Sequence, residues 1–258
     1  MSSLSGIRYA KASTVSKILY IVLPLTFGAP CGHHAAKEED DMAKRALITW
    51  GGWLGHDPEK VANLFAGDLA QAGFEVTVTD TLACFDDAAA LADLSLIVPV
   101  WTMSTIEKHQ SQNVADAVAA GVGLAGCHGG MCDSFRNDVV WQFMTGAQWV
   151  AHPGNDGVEY KVRMVSEDPL VAGIGDFMVK TEQYYLHIDP AVKVHAVCDF
   201  PVVDGPHAAN GPVAMPIGFT KMWGKGRVYY NALGHQANVI DHGPAHEMIK
   251  RGLLWAAR

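Results

Sequence analysis

The sequence predicts an α/β protein organised around a doubly wound parallel sheet, with added antiparallel strands in its C-terminal half. From Arg45 onward, short apolar runs alternate with amphipathic segments, the rhythm of parallel strands joined by crossover helices. The long amphipathic segments open on capping residues and close on glycine. After Phe135 the alternation loosens into strand-like runs with few helices between them.

Taken in order, "ALITW" (46–50) reads as a strand ending in the glycine-rich loop "GGWLGHD". Asp57-Pro58 then opens a helix, with Asp57 as N-cap and Pro58 at the first helical position. That helix puts Val61, Leu64, Phe65 and Leu69 on one face and stops at Gly73. "FEVTVTD" (74–80) is the second strand, "DDAAALAD" (86–93) a short helix or turn, and "LSLIVPV" (94–100) a fully buried third strand. A further helix is expected from Ser104, with Glu107 completing a capping box, to Gly121; "VGLAG" (122–126) is the fourth strand. Beyond it, "DVVWQFMTG" (138–146) reads as a helix. "GVEYKVRMV", "VKVHAVCDF", "PVAMPIGFTKMW" and "GRVYYNAL" read as strands, and "HEMIKRGLLWAAR" (246–258) as a closing helix.

The chain of 258 residues, 49% hydrophobic and 18% charged, can bury one substantial core. A net charge of −8, with acidic residues spread along the chain, leaves no basic footprint for nucleic acid or an anionic membrane, so a small-molecule partner is expected. The five cysteines show no CxxC spacing and read as reduced thiols of a cytoplasmic protein. Residues 1–41 are expected to lie outside the fold. There Arg8, Lys11 and Lys17 precede the apolar "ILYIVLPLTF", which resembles a secretory signal and is too short to span a bilayer. Met42, just ahead of a basic pair and the first strand, offers a second start. The expectation is a cytoplasmic domain over 42–258, with export by the signal-like segment as the alternative.

The stretch "GLAGCHGGMCDSF" (123–135) is a strand that stops on small residues around a Cys-His pair. A strained strand-to-helix turn that presents a reactive side chain needs small residues on both sides of it. The spacing fits Cys127 in one register and His128 in the other. The His128 register is preferred, because Gly126 and Gly130 flank it.

Together with "GGWLGHDPE", "WQFMTGAQWVAHPG", "EQYYLHIDP" and "GKGRVYYNALGH", this stretch resembles the trehalose-utilization (ThuA-like) family, in order from about Lys44 to the C-terminus. The resemblance implies a flavodoxin-like sheet similar to that of class I glutamine amidotransferases. It also implies histidine at the elbow, where amidotransferases carry cysteine. The family motifs fall on His56, His152, Glu182 and His235.

Imidazoles and a carboxylate converging at the end of a parallel sheet suit general acid-base chemistry. His128 is expected as the central acid-base group, Glu182 as its partner, and His235 and His56 as further members of the catalytic set. Trp53, Trp101, Tyr185 and His152 are expected to contact substrate, since aromatic faces suit sugar rings. No cofactor is expected; a divalent metal held from the pool His56, His128, His152 and His235 is the open alternative. The amidotransferase reaction is not expected, because its His-x-Glu pair has no match. The resemblance implies carbohydrate utilisation, which with this chemistry means isomerisation or elimination on a keto-sugar or oxidised disaccharide. A non-catalytic sugar-binding protein or partner of a sugar oxidoreductase, and a metal-assisted hydrolase, are the competing readings. A homo-oligomer is compatible with all three.

Overall fold

The computed structural model describes residues 18–20 and 43–258. The elements run β1 (Ile18–Tyr20), β2 (Arg45–Gly52), α1 (Pro58–Gln71), β3 (Glu75–Thr79), α2 (Ala88–Ala92), β4 (Leu96–Thr102), α3 (Lys108–Ala120) and β5 (Gly123–Cys127). There follow α4 (Gly129–Cys132), α5 (Val139–Thr145), β6 (Ala147–Ala151), β7 (Val158–Met164), β8 (Phe177–Thr181), β9 (Tyr185–Ile188), β10 (Lys193–Phe200), β11 (Val213–Trp223), β12 (Gly226–Asn231), α6 (Ala237–Ile240) and α7 (Gly243–Ala256).

Among the described residues, ten strands form one sheet in the order β1-β3-β2-β4-β5-β12-β11-β10-β7-β8, and β6 with β9 forms a separate two-stranded sheet. The run β3-β2-β4-β5-β12 is parallel. Its order is that of a flavodoxin-like sheet, which reverses direction of growth between β2 and β4 and so opens a crevice there at the strand C-termini. Beyond β12 the sheet continues antiparallel through β11, β10, β7 and β8. Helices α1 and α7 cover one face of the parallel half, with α3 and α5 on the other. Leu96, Ile97 and Val98 of β4 and the whole of β5 are buried between these layers, which explains their unbroken apolar runs.

Three local expectations are modified. Helix α3 begins one turn later than Ser104: Glu107 is itself the N-cap and Gln110 completes the capping box. Ser104 is drawn away because its backbone N–H donates to Ser134 O at 2.8 Å, while Gln110 is anchored on Leu82 O and Asp86. Asp57 caps α1 from a left-handed conformation (φ 47°) without a side-chain cap bond, its carboxylate turned to Lys60. Within the segment expected outside the fold, Ile18–Tyr20 pair antiparallel with β3. That edge offers unpaired N–H and C=O groups that an apolar run can satisfy; the rest of 1–42 lies outside the described residues.

The turn after β5 positions the site. His128 occupies it with φ 50° and ψ −136°, a conformation rare for a side-chain-bearing residue. The neighbouring glycines are required by space. A Cβ on Gly129 would lie 2.7 Å from Thr102 Cγ2 and 2.8 Å from His56 Cε1, and one on Gly126 would lie 2.9 Å from Met131 Cβ.

Two outcomes are expected. Gly129→Ala forces His56 and Thr102 apart and should cost about 1–3 kcal/mol in denaturant unfolding, the usual scale for overpacking. The second concerns His195 of β10, which is 1% exposed and bonded to Ser166 Oγ at 3.2 Å and Thr220 Oγ1 at 2.9 Å. Burial lowers its pKa from 6.5, Asp168 opposes this, and Lys193 adds to it. The unfolded chain therefore binds the proton first, so stability should fall as pH drops below 6.5. In denaturant titrations at several pH values, His195→Gln should show a shallower fall than the parent chain.

Candidate active site

Three histidines reach the crevice from three parallel strands. His56 sits in the 3-10 turn after β2, His128 at the elbow after β5, and His235 in the loop after β12. The carboxylate of Glu182 comes from the other half of the chain, between β8 and β9, where the Tyr160 hydroxyl donates to its backbone carbonyl at 2.9 Å. All four are buried. Each offers one donor atom, and these atoms lie within 4.8 Å of one another.

The contacts fix each ring. His128 Nδ1 is 2.9 Å from Ala232 O, a group that only accepts, so Nδ1 carries the proton of this bond. Its Nε2 lies 3.1 Å from Glu182 Oε2. The ring is stacked on Tyr184 at 3.9 Å, and the Tyr230 hydroxyl donates to the His128 carbonyl. His56 Nδ1 is 3.0 Å from Thr102 Oγ1, a contact that bridges the β2–β4 crevice and leaves Nε2 toward the cluster. His235 Nδ1 lies 3.3 Å from Glu182 Oε2, off the line of a hydrogen bond, and is buried without a partner among the described residues.

The electrostatics follow from this crowding. Burial, together with the neighbouring His128 and His235, lowers the His56 pKa to about 3, so it is neutral. Burial also lowers His128, against the pull of Glu182. Burial would raise Glu182, but the contact with His128 and the charges of His128 and His235 win and hold it well below the usual carboxylate range. The Glu182 carboxylate raises His235. The site therefore carries a buried anion ringed by nitrogen donors, and Glu182 Oε1 faces outward to His152 Nε2 at 3.8 Å.

A cavity of 570 Å³ opens over this floor, lined by Glu182, His56 and His235 below and by Trp53, Trp149 and His152 at the sides. Tyr184, Met103, Asn155, Asp156, Asp133 and Arg136 complete it. Arg136 is held side-on by Asp133 at 2.6 and 2.9 Å and lies over the Trp149 ring at 4.4 Å. The arrangement can take a ring-shaped polar ligand between aromatic walls, with proton-transfer groups beneath and beside it.

His56, His128, Glu182 and His235 are thus brought together, and Trp53 and His152 line the cavity. His128 itself is 2% exposed and lies outside the lining, in contact with Glu182. Trp101 and Tyr185 do not line the cavity. Trp101 packs against Gly51, and Tyr185 packs on Phe200. Their chain neighbours Thr102 and Tyr184 face the site instead. The metal-ligand pool also changes, with Glu182 standing in the cluster where His152 was expected. Cys127 is buried beside Gly234 and its thiol is pushed up to about 12 by burial, which leaves no thiolate at neutral pH. Of the further lining residues, Trp149 and Tyr184 are aromatics near the site loops, and the run "DSFRND" directly after the elbow is the sequence signal for Asp133 and Arg136.

A family profile described as Trehalose utilisation matches residues 45–256. Among solved structures, the chain is similar to a ThuA-like protein from Bacteroides uniformis (TM-score 0.65, 15% identity, 89% of this chain and 95% of that one). It is also similar to a ThuA-like protein from Parabacteroides merdae (TM-score 0.62, 15% identity, 83% and 89%). A protein of Salmonella typhimurium described as cytoplasmic has a TM-score of 0.60 at 14% identity, over 83% of this chain and all of that one. At such identities the likeness shows the fold alone. No curated protein matches the chain. Among the described residues no helix is long and apolar enough to cross a membrane. The profile match spans most of the sequence, and the chain belongs to the trehalose utilisation (ThuA) family.

Proposed function

We propose that this protein is a cytoplasmic enzyme of carbohydrate utilisation that moves a proton next to the carbonyl of a keto-sugar or oxidised disaccharide. The observation that carries this reading is the convergence of Glu182, His56 and His235 on the floor of an aromatic-walled cavity with His152 at its side. His152 is the most exposed imidazole of the group, and the free Oε1 of Glu182 lies 3.8 Å from its Nε2. In this reading His152 accepts the proton of the carbon beside the carbonyl. The electron pair of the C–H bond forms a C=C bond, and the carbonyl π pair moves to oxygen, which meets His235, the imidazole that the Glu182 carboxylate raises. Transfer of the adjacent hydroxyl proton to that oxygen, with the O–H pair forming the new C=O bond and the C=C pair taking the proton back from His152 at the former carbonyl carbon, completes an isomerisation. Departure of a substituent with its electron pair from the carbon beyond completes an elimination instead. His128 acts as a positioning residue that fixes Glu182.

Turnover of a panel of keto-sugars by the purified chain tests this. His152→Gln and Glu182→Gln should each lower kcat by about 10²–10⁴-fold, the range for losing a general base, while far-UV dichroism and sugar affinity persist. His128→Gln should also lower kcat. Sugar binding by the parent chain without turnover of any panel member would favour the binding-protein reading instead.

A further inference from the structure

We infer that His56, His128, Glu182 and His235 form a binding site for one divalent transition-metal ion at the floor of the cavity. Three imidazoles and a carboxylate, with no thiolate, are the donor set of borderline ions such as Zn²⁺ and Mn²⁺. The spacing fits. Donors about 2.0–2.1 Å from an ion stand about 3.3 Å apart in a tetrahedral shell, and Glu182 Oε2 lies 3.1 Å from His128 Nε2 and 3.3 Å from His235 Nδ1.

Three further observations point the same way. The first is the His128 ring. With Nδ1–H committed to Ala232 O, a neutral imidazole turns its Nε2 lone pair toward a carboxylate oxygen. Two electron-rich atoms at that distance repel unless a positive centre lies between or beside them. The second is His235 Nδ1, which is buried without a hydrogen-bond partner among the described residues and belongs to a ring within this donor set. The third is the outer layer: Ala232 O holds His128 and Thr102 Oγ1 holds His56, the kind of support that fixes the tautomer of ligating histidines.

Because His56, Glu182 and His235 line the cavity while His128 lies beneath, an ion held here faces the cavity. Resting on the proposed function, it would take the carbonyl oxygen of the sugar, with an adjacent hydroxyl as a second donor. That makes α-hydroxyketones the ligand class.

Metal uptake can be read without any sugar. The full-length chain is stripped with dipicolinate, dialysed against Zn²⁺ or Mn²⁺, and its metal content measured by elemental analysis. The expected result is about one equivalent per chain for at least one ion, as for a dedicated protein site. His235→Ala should lose most of it, and His246→Gln, outside the cluster, should keep it. Thr102→Val should weaken affinity by about 10–100-fold, the scale for removing a second-layer partner, with Thr102→Ser restoring it. Failure of the stripped parent chain to take up either ion overturns the site, as does a folded His235→Ala protein that binds as tightly as the parent. Undiminished keto-sugar turnover by metal-free protein overturns the role of the ion and leaves the proposed function standing. Uptake of one equivalent by a protein inert toward every keto-sugar supports the site and counts against the proposed function alone.

Discussion

The contact between His128 and Glu182 ties the two halves of this molecule together. The elbow histidine belongs to the parallel half, the carboxylate to the antiparallel addition, and 54 residues separate them in sequence. Every other feature of the cavity floor is arranged around that pair. His128 is fixed by the strained turn, by Ala232 on the adjacent strand's exit and by the Tyr184 ring against it. Glu182 is fixed from behind by Tyr160. A carboxylate buried this deeply is tolerable only if positive charge compensates it, and removing the partner of a buried charge commonly costs about 3–5 kcal/mol.

That constraint explains the number of histidines. One imidazole would satisfy one oxygen lone pair, yet His56 and His235 crowd the same space at ring separations of 4.7 and 5.6 Å from His128. Burial first, and then the neighbouring His128 and His235, drive His56 down to about 3, so the three rings are not all protonated. The site is therefore rich in unprotonated nitrogen, and Trp53 and Trp149 line the cavity beside it. The elbow glycines belong to the same logic, because any side chain at Gly129 would occupy the volume that His56 and Thr102 need to face each other.

Much of this was legible in the chain. The strand-helix rhythm up to the elbow, the small residues around His128 and the approximate reach of the first helix follow from local sequence. The site residues that sequence reading misplaced share one cause. Trp101 and Tyr185 each lie next to the residue that faces the site, Thr102 and Tyr184 respectively, and in extended chain successive side chains point to opposite faces. An aromatic residue draws attention, but parity along the strand is fixed only by pairing partners far away in sequence. Strands β6, β8 and β9 are harder to read for a similar reason: they are short and lie between α5 and α6, a stretch that no α-helix punctuates. The later start of α3 depends on Ser134, thirty residues ahead of Ser104, which no local capping pattern reports.

The central claim is that His128 is locked with its Nδ1 proton on Ala232 O and its Nε2 aimed at Glu182. Long-range ¹H–¹⁵N correlation spectra of the histidine side chains, with His128 assigned by comparison with His128→Gln, read this tautomer directly. The account predicts a protonated Nδ1 at neutral pH, with no proton on Nε2. A His128 ring with a bare Nδ1 and the proton on Nε2 alone would contradict it.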